Sequence, residues 1–128
     1  MIPFSIQFKG GAPLSEQIIA GIKKAIAIGQ LKAGEKFPSV RQLSLELKIN
    51  PNTAHKVVQA LVQEGILVVT PAIGSVIANI EPSSAKKRQE LLQEPVENLV
   101  IEAKRLQLPL EVIEEILRKT WNQMEKKE

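Results

Sequence analysis

Residues 38 to 65 read PSVRQLSLELKINPNTAHKVVQALVQEG and carry the signals of two short helices joined by a turn. Ser39 is suited to cap the first helix, with Gln42 three residues later as its capping-box partner. Asn50 as N-cap and Pro51 at the first helical position mark the start of the second helix, which Gly65 ends. Apolar residues recur at helical spacing in both segments, namely Val40, Leu43 and Leu47, then Ala54, Val57, Val58, Leu61 and Val62. The pattern predicts a helix-turn-helix whose second helix keeps a polar outer face.

The flanking residues extend this unit in both directions. Before it, residues 12 to 29 have the apolar spacing of an amphipathic helix, and the turn-rich stretch 30 to 38 follows. After it, β-branched runs at 66 to 70 and 75 to 80 enclose Pro71-Ala72-Ile73-Gly74, a composition typical of a hairpin with a short loop. Three helices followed by a β-hairpin predict a winged helix-turn-helix over residues 1 to 80.

A second segment is expected over residues 81 to 128. Glu81-Pro82-Ser83-Ser84 combines a proline with small polar residues and is the best domain boundary. Residues 85 to 107 are helical in pattern, but Pro95 lies inside them, so we expect either one kinked helix or two separate helices. A last helix is predicted from Pro109 to about Glu125. The fold class is therefore mostly α, a winged helix followed by a small all-α segment.

The helices of the second segment carry apolar stripes that need a partner. So short a segment, about 45 residues, cannot enclose a core of its own. The stripes can pack back on residues 1 to 80, but the linker and the prevalence of closed twofold dimers favour a second copy of the chain. We therefore predict a homodimer. The expected interface residues are Leu92, Val96, Leu99, Val100, Ala103, Ile113, Ile116, Leu117 and Trp121.

Composition excludes several classes of protein. The chain has 128 residues, no cysteine and one histidine, and it contains no glycine-rich phosphate loop or nucleophile elbow. We therefore expect no enzyme activity, no metal site and no cofactor. The absence of cysteine suits a reducing cytoplasm. No apolar run approaches the roughly 18 residues of a membrane span, so we expect neither export nor membrane insertion. Residues 1 to 80 hold eight basic and four acidic residues, and the remainder nine and ten. A basic front half suits a module that binds a polyanion.

Double-stranded DNA is the expected partner, because the second helix of a helix-turn-helix enters the major groove. Asn52 and Gln59 can pair with adenine, Lys56 can reach guanine or phosphate, and Thr53 can bond to either a base or a phosphate. Arg41 and Ser39 begin the preceding helix, where free N–H groups favour a phosphate. The candidate DNA-binding residues are Ser39, Arg41, Asn50, Asn52, Thr53, His55, Lys56, Gln59, Gly74 and Ser75.

Four of these residues also have a local explanation. Capping fully accounts for Asn50 and can account for Ser39, whereas capping or solvation accounts for Asn52 only in part. His55 lies near the edge of the polar face, where it can donate to DNA or stay solvated or partly packed.

The sequence resembles the GntR family of transcription regulators over residues 13 to about 78. The resemblance is carried by PLSEQI (13 to 18), GQLKAGEKFPSVRQLS (29 to 44), NPNTAHKVVQALVQEGIL (50 to 67) and GS (74 and 75). It implies that Arg41 contacts operator DNA and that Gly74 is the wing-tip glycine that approaches the minor groove. The Asn-Pro-Asn-Thr start and the short helical tail resemble the YtrA subfamily, whose tails dimerise.

Several positions depart from the family pattern. Many relatives carry arginine where this chain has Pro51 and His55, and a basic wing tip where it has Ile73. Lys48 stands at the turn where glycine is usual, which stores strain if its φ is positive.

These features together predict a transcription regulator, a repressor that binds a pseudo-palindromic operator as a homodimer. The sequence does not name the operator, the regulated genes or any small-molecule effector. The alternative is a winged helix that binds protein, with weak or no DNA binding.

Overall fold

The computed structural model describes residues 4, 6–79 and 84–125. The chain divides into two compact units, Met1–Asn79 and Ile80–Glu128. Of the predicted linker Glu81-Pro82-Ser83-Ser84, only Ser84 belongs to the described residues.

The described part of the first unit contains three helices and a β-hairpin. Its elements are α1 (Leu14–Ala27), α2 (Val40–Leu47), α3 (Pro51–Gln63), β1 (Leu67–Thr70) and β2 (Gly74–Ile77). The two strands pair antiparallel, with Leu67 opposite Ile77 and Thr70 opposite Gly74. The predicted winged helix is confirmed. α1 begins at Leu14 rather than Ala12, and β2 ends at Ile77, whereas Ile80, the predicted end of the second run, lies outside the described residues.

One apolar core holds this unit together. α3 packs against α1, α2 and β1, and the inward residues of these elements are almost fully buried. The core consists of Phe4, Ile18, Ile22, Ala25, Leu31, Phe37, Leu43, Ala54, Val57, Leu61, Leu67 and Ile77. Val58 packs on it only in part, and Val62, predicted for the apolar stripe of α3, is exposed. The buried side of α3 is therefore narrower than the sequence pattern indicated.

Side-chain caps begin both helices of the helix-turn-helix. The Ser39 hydroxyl accepts a hydrogen bond from the Gln42 backbone N–H at 3.1 Å. The Asn50 side chain accepts one from the Asn52 backbone N–H at 2.7 Å, with Pro51 at the first helical position. These caps satisfy N–H groups that have no partner within their helix. The Gln42 side-chain amide itself donates to the Glu46 carboxylate at 3.4 Å, one turn further along α2.

The stretch between α1 and α2, predicted only as turn-rich, joins the wing. Lys36 forms an antiparallel bridge with Val76. The Phe37 N–H donates to the Ser75 carbonyl and the Ile77 N–H donates to the Glu35 carbonyl, both at 2.8 Å. β2 therefore has hydrogen-bonding neighbours on both sides, whereas β1 pairs with β2 alone in the described part of the chain.

Some of the described residues before α1 pack onto the helical unit. Phe4 is buried in the core, and the Gln17 side-chain amide donates to the carbonyls of Lys9 and Ala12. Gly21 lies under Ile6: a Cβ placed on Gly21 would come within 2.9 Å of Ile6 Cγ1. The absence of a side chain at Gly21 permits this close approach.

The described part of the second unit consists of two helices, α4 (Ala85–Arg105) and α5 (Leu110–Glu125). Pro95 lies inside α4, and the helix runs through it without a break. Of the two forms expected around this proline, the two separate helices are therefore wrong. Between α4 and α5, Gln107 adopts a φ of 60° and the Leu108 N–H donates to the Ala103 carbonyl at 3.0 Å.

Candidate nucleic-acid interface

The outward face of α3 is a row of polar side chains. Asn52, His55, Lys56 and Gln59 are spaced by three and four residues, so they lie on one side of the helix, opposite the buried Ala54, Val57 and Leu61. All four are exposed, whereas Thr53 beside them is half-buried. Within the described residues, no hydrogen bond or ion pair engages their side chains. Their donors and acceptors remain available to a ligand.

The amino-terminal end of α2 presents a cation and a hydroxyl. Ser39 and Arg41 are both exposed, and the Ser39 hydroxyl keeps its donor capacity while it accepts from Gln42. No acidic residue lies in the first turn of α2. The guanidinium therefore adds to the positive end of the helix dipole, an arrangement that attracts an anion such as phosphate.

The turn between α2 and α3 depends on a left-handed residue. Lys48 adopts φ 57° and ψ 49°, so the strain anticipated from its position is present. The Lys48 and Ile49 N–H groups both bond to the Ser44 carbonyl, and Ile49 packs partly on the core. This compact turn, with Asn50 as the next cap, sets the angle at which α3 leaves α2. The Asn50 side-chain oxygen is occupied by capping.

The wing tip is a three-residue loop, Pro71 to Ile73, closed by a side chain. Gly74 has a φ of 95° and is exposed, while Ser75 next to it is half-buried. The Thr70 hydroxyl donates to the Gly74 carbonyl at 3.0 Å across the loop. A Cβ on Gly74 would meet nothing within 4 Å, so its positive φ, and not crowding inside this unit, favours glycine.

Lys36 is a basic residue that the sequence analysis did not select. The backbone bridge between Lys36 and Val76 places Lys36 beside β2, and the Lys36 side chain is exposed. Side chains of paired residues share a face, so Lys36, Val76 and Val68 form one row across the sheet. Nothing in the turn-rich stretch 30 to 38 signals this pairing, because it is made by backbone groups of distant segments.

The apolar residues of the second unit are exposed in most cases. Leu92, Val96, Leu99, Val100, Ile116, Leu117 and Trp121 are all exposed, and Ile113 is half-buried. Ala103 differs from these predicted interface residues because only 6% of it is exposed. A groove of about 330 Å³ between α4 and α5 is lined almost entirely by apolar side chains, including Leu99, Ile113 and Leu117.

Residues 14–77, which span α1 to β2, match the family model described as bacterial regulatory proteins, gntR family. The chain belongs to the GntR family. It is a transcription regulator with a DNA-binding winged helix, as predicted, and not an enzyme. Among the described residues, neither a helix capable of crossing a membrane nor a cluster of three metal-binding side chains was found.

Individual relatives extend the similarity into the second unit. The HTH-type transcriptional repressor YtrA of Bacillus subtilis is 31% identical over 111 residues, which cover 86% of this chain and 85% of that protein. The transcriptional antiterminator structure from Listeria monocytogenes has a TM-score of 0.78 at 28% identity, with 98% and 94% of the two chains covered. The YtrA structure from Sulfolobus acidocaldarius has a TM-score of 0.62 at 27% identity, with 92% and 97% covered. The predicted YtrA-like subfamily is thereby supported.

Proposed function

We propose that this GntR-family regulator is a repressor that binds a pseudo-palindromic operator as a homodimer. The observation that carries the proposal is the outward row of α3, where Asn52, Lys56 and Gln59 are exposed and have no intramolecular partner among the described residues. Amide side chains read adenine, and lysine reads guanine or phosphate, when such a helix lies in the major groove. A related protein from Bacillus subtilis carries the name of repressor, which supports the same role here.

Residues 1–80 act in this proposal as the DNA-binding domain. Arg41 and Ser39 hold a phosphate at the start of α2, and Gly74 and Ser75 of the wing approach the neighbouring minor groove. His55 completes the polar row of α3 as a donor to DNA, and Thr53 contributes from its margin. Asn50 contributes as the cap that holds α3 in place. The protein works where its operator lies, in the cytoplasm.

Residues 81–128 act as the dimerisation segment. Exposed apolar side chains run along both α4 and α5, and Trp121 is 65% exposed. A solvated surface of this kind is unfavourable, and apolar patches of such extent mark interaction sites. A second copy would cover it and present two α3 helices to two half-sites, as a twofold operator requires.

The decisive experiment is selection of bound sequences from random DNA by the full chain at a stated salt concentration. We expect an enriched sequence with two inverted half-sites, their centres one or two helical turns apart, about 34–36 Å per turn. A single unpaired half-site would contradict the dimeric mode of binding. Recovery of no preferred sequence, with a DNA affinity like that of an unrelated basic protein, would contradict the function and favour a protein-binding winged helix.

A further inference from the structure

Three consecutive cations stand near the beginning of the second unit. Lys86, Lys87 and Arg88 form a basic cluster at the start of α4, and all three side chains are exposed. In the part of the chain that the structure describes, no ion pair or hydrogen bond engages the side chains of Lys86 and Lys87, although Glu90 lies one turn after Lys86. The charges of these two lysines therefore remain available to a ligand.

Positive and negative charges are separated along α4. Residues 84 to 89 hold the basic cluster and no acidic residue, whereas residues 90 to 103 hold four acidic residues and no basic one. A solvent-exposed helix is stabilised when opposite charges alternate at a spacing of three or four residues. Pairing within α4 therefore does not account for the basic cluster.

The basic cluster also opposes the dipole of its own helix. The amino-terminal end of a helix carries partial positive charge, so acidic residues stabilise the first turn and cations destabilise it. α1 and α5 have Glu16 and Glu111 in their first turns, whereas the first turns of α2 and α4 contain no acidic residue. The cation near the start of α2 is Arg41, the residue proposed above to bind a phosphate. The basic cluster therefore needs an explanation other than the stability of α4.

A short connection keeps the basic cluster close to the DNA-binding unit. Lys86 follows Asn79, the last described residue of the first unit, by seven positions. A chain of that length spans at most ~25 Å, which is less than one helical turn of DNA, about 34–36 Å. When the first unit is bound to DNA, the basic cluster is consequently held near the duplex at a high local concentration.

We propose that the basic cluster binds the phosphate backbone of DNA, so that the second unit adds contacts outside the winged helix. DNA is a polyanion with one negative charge per about 1.7 Å of duplex, which matches three adjacent cations. Phosphate contacts carry no sequence information, so the cluster raises the affinity for operator and random DNA alike. This inference rests on the proposed function and extends it to a segment to which only dimerisation was assigned.

The test compares the salt dependence of DNA binding between the full chain and a variant that carries Lys86→Ala and Lys87→Ala together. The variant should lose about two units of the slope of log K against log salt, about one for each phosphate contact. Raising the salt from about 50 to about 200 mM should then cost the variant roughly tenfold less affinity than it costs the wild type. The affinity lost at low salt should be the same on the selected operator and on random DNA. Lys86→Arg with Lys87→Arg keeps both charges and should keep the slope.

Arg118→Ala with Lys119→Ala is the matched control, because it removes two adjacent exposed cations from α5. It changes the net charge of the chain by the same amount and should keep the wild-type slope. Sedimentation should give the same oligomeric state for the wild type and for all three variants.

The outcomes distinguish this inference from the proposed function. If the wild type binds its operator and the double alanine variant of the basic cluster keeps the wild-type slope, the inference is wrong and the proposed function stands. An equal loss of slope in the control would also overturn it, because the effect would then follow net charge alone. Dissociation of a wild-type dimer in the cluster variant would instead assign the cluster to the acidic stretch of a second copy. If the wild-type chain binds no DNA, the proposed function itself is wrong.

Discussion

The ring of Phe4 is stacked on the ring of Phe37, with 6.5 Å between the ring centroids and 10° between their planes. Phe37 leads directly into Pro38 and Ser39, where the proposed DNA-binding surface begins. A residue ahead of α1 therefore supports the segment that positions Arg41. Phe4 is thus part of the core of the first unit, although the family match begins only at residue 14.

Phe4→Ala should lower the free energy of unfolding by about 3 kcal/mol, the order found when a buried phenylalanine is removed. Denaturant unfolding of the full chain measures this change. Phe8→Ala is the matched control, since Phe8 is exposed and surface substitutions usually cost less than about 0.5 kcal/mol. Equal losses in the two variants would contradict the burial of Phe4 in the core.

Asn50→Ala should destabilise the chain by about 1 kcal/mol, because the Asn52 N–H loses its capping acceptor. Asn50→Asp keeps an acceptor at the same place and should retain most of the stability. Thermal unfolding distinguishes the two variants. A loss of the same size in both would mean that capping is not the role of Asn50.

Asn52→Ala should leave stability almost unchanged, because its exposed side chain has no bond among the described residues. We expect it to lose about 1–3 kcal/mol of binding to the selected operator and little on random DNA. Titration against both DNA molecules at one salt concentration measures the difference. Equal losses on the two would make Asn52 a residue that positions the helix and does not read a base.

Arg41→Ala and Lys56→Ala should each weaken binding to all sequences and flatten the salt dependence by about one unit per lost phosphate contact. Affinity measured at several salt concentrations gives the slope. Lys24→Ala, an exposed lysine on α1, is the control and should keep the wild-type slope. Unchanged slopes in both test variants would remove the phosphate contacts assigned to Arg41 and Lys56.

Leu99→Glu and Leu117→Glu should each convert the expected dimer into a monomer, because a carboxylate is costly to bury at an apolar interface. Sedimentation at micromolar concentration measures the change, and operator affinity should fall in parallel. Lys119→Glu reverses a charge on the polar side of α5 and should leave the dimer intact. A monomeric wild-type chain under the same conditions would contradict the homodimer.

Truncation after residue 79 gives an independent check of the same idea, since the first unit has its own core. The shortened chain should stay folded, become monomeric and bind its operator far more weakly, because each half-site is then bound singly. Circular dichroism confirms folding before the affinity is compared.

Local side-chain chemistry made the helix-turn-helix predictable from the sequence. Ser39 and Asn50 cap their helices through bonds that reach only two or three residues along the chain. The polar row on α3 follows from spacing alone, because a helix of 3.6 residues per turn brings Asn52, Lys56 and Gln59 to one side. Capping bonds and helical spacing involve only residues a few positions apart, so the sequence of the segment is enough to predict them.

Only the tertiary structure decided that Lys36 joins the wing, that Phe4 enters the core and that α4 passes through Pro95 unbroken. Lys36 is attached through backbone groups, which every residue except proline carries alike, so the sequence does not indicate which of them will pair. Phe4 meets Phe37 across more than thirty residues of chain, and no local pattern encodes such a contact. Pro95 removes one hydrogen bond from α4, but the helix continues on both sides of it. Whether a helix continues through a proline depends on the other residues of the helix as well, so the proline alone does not predict the outcome.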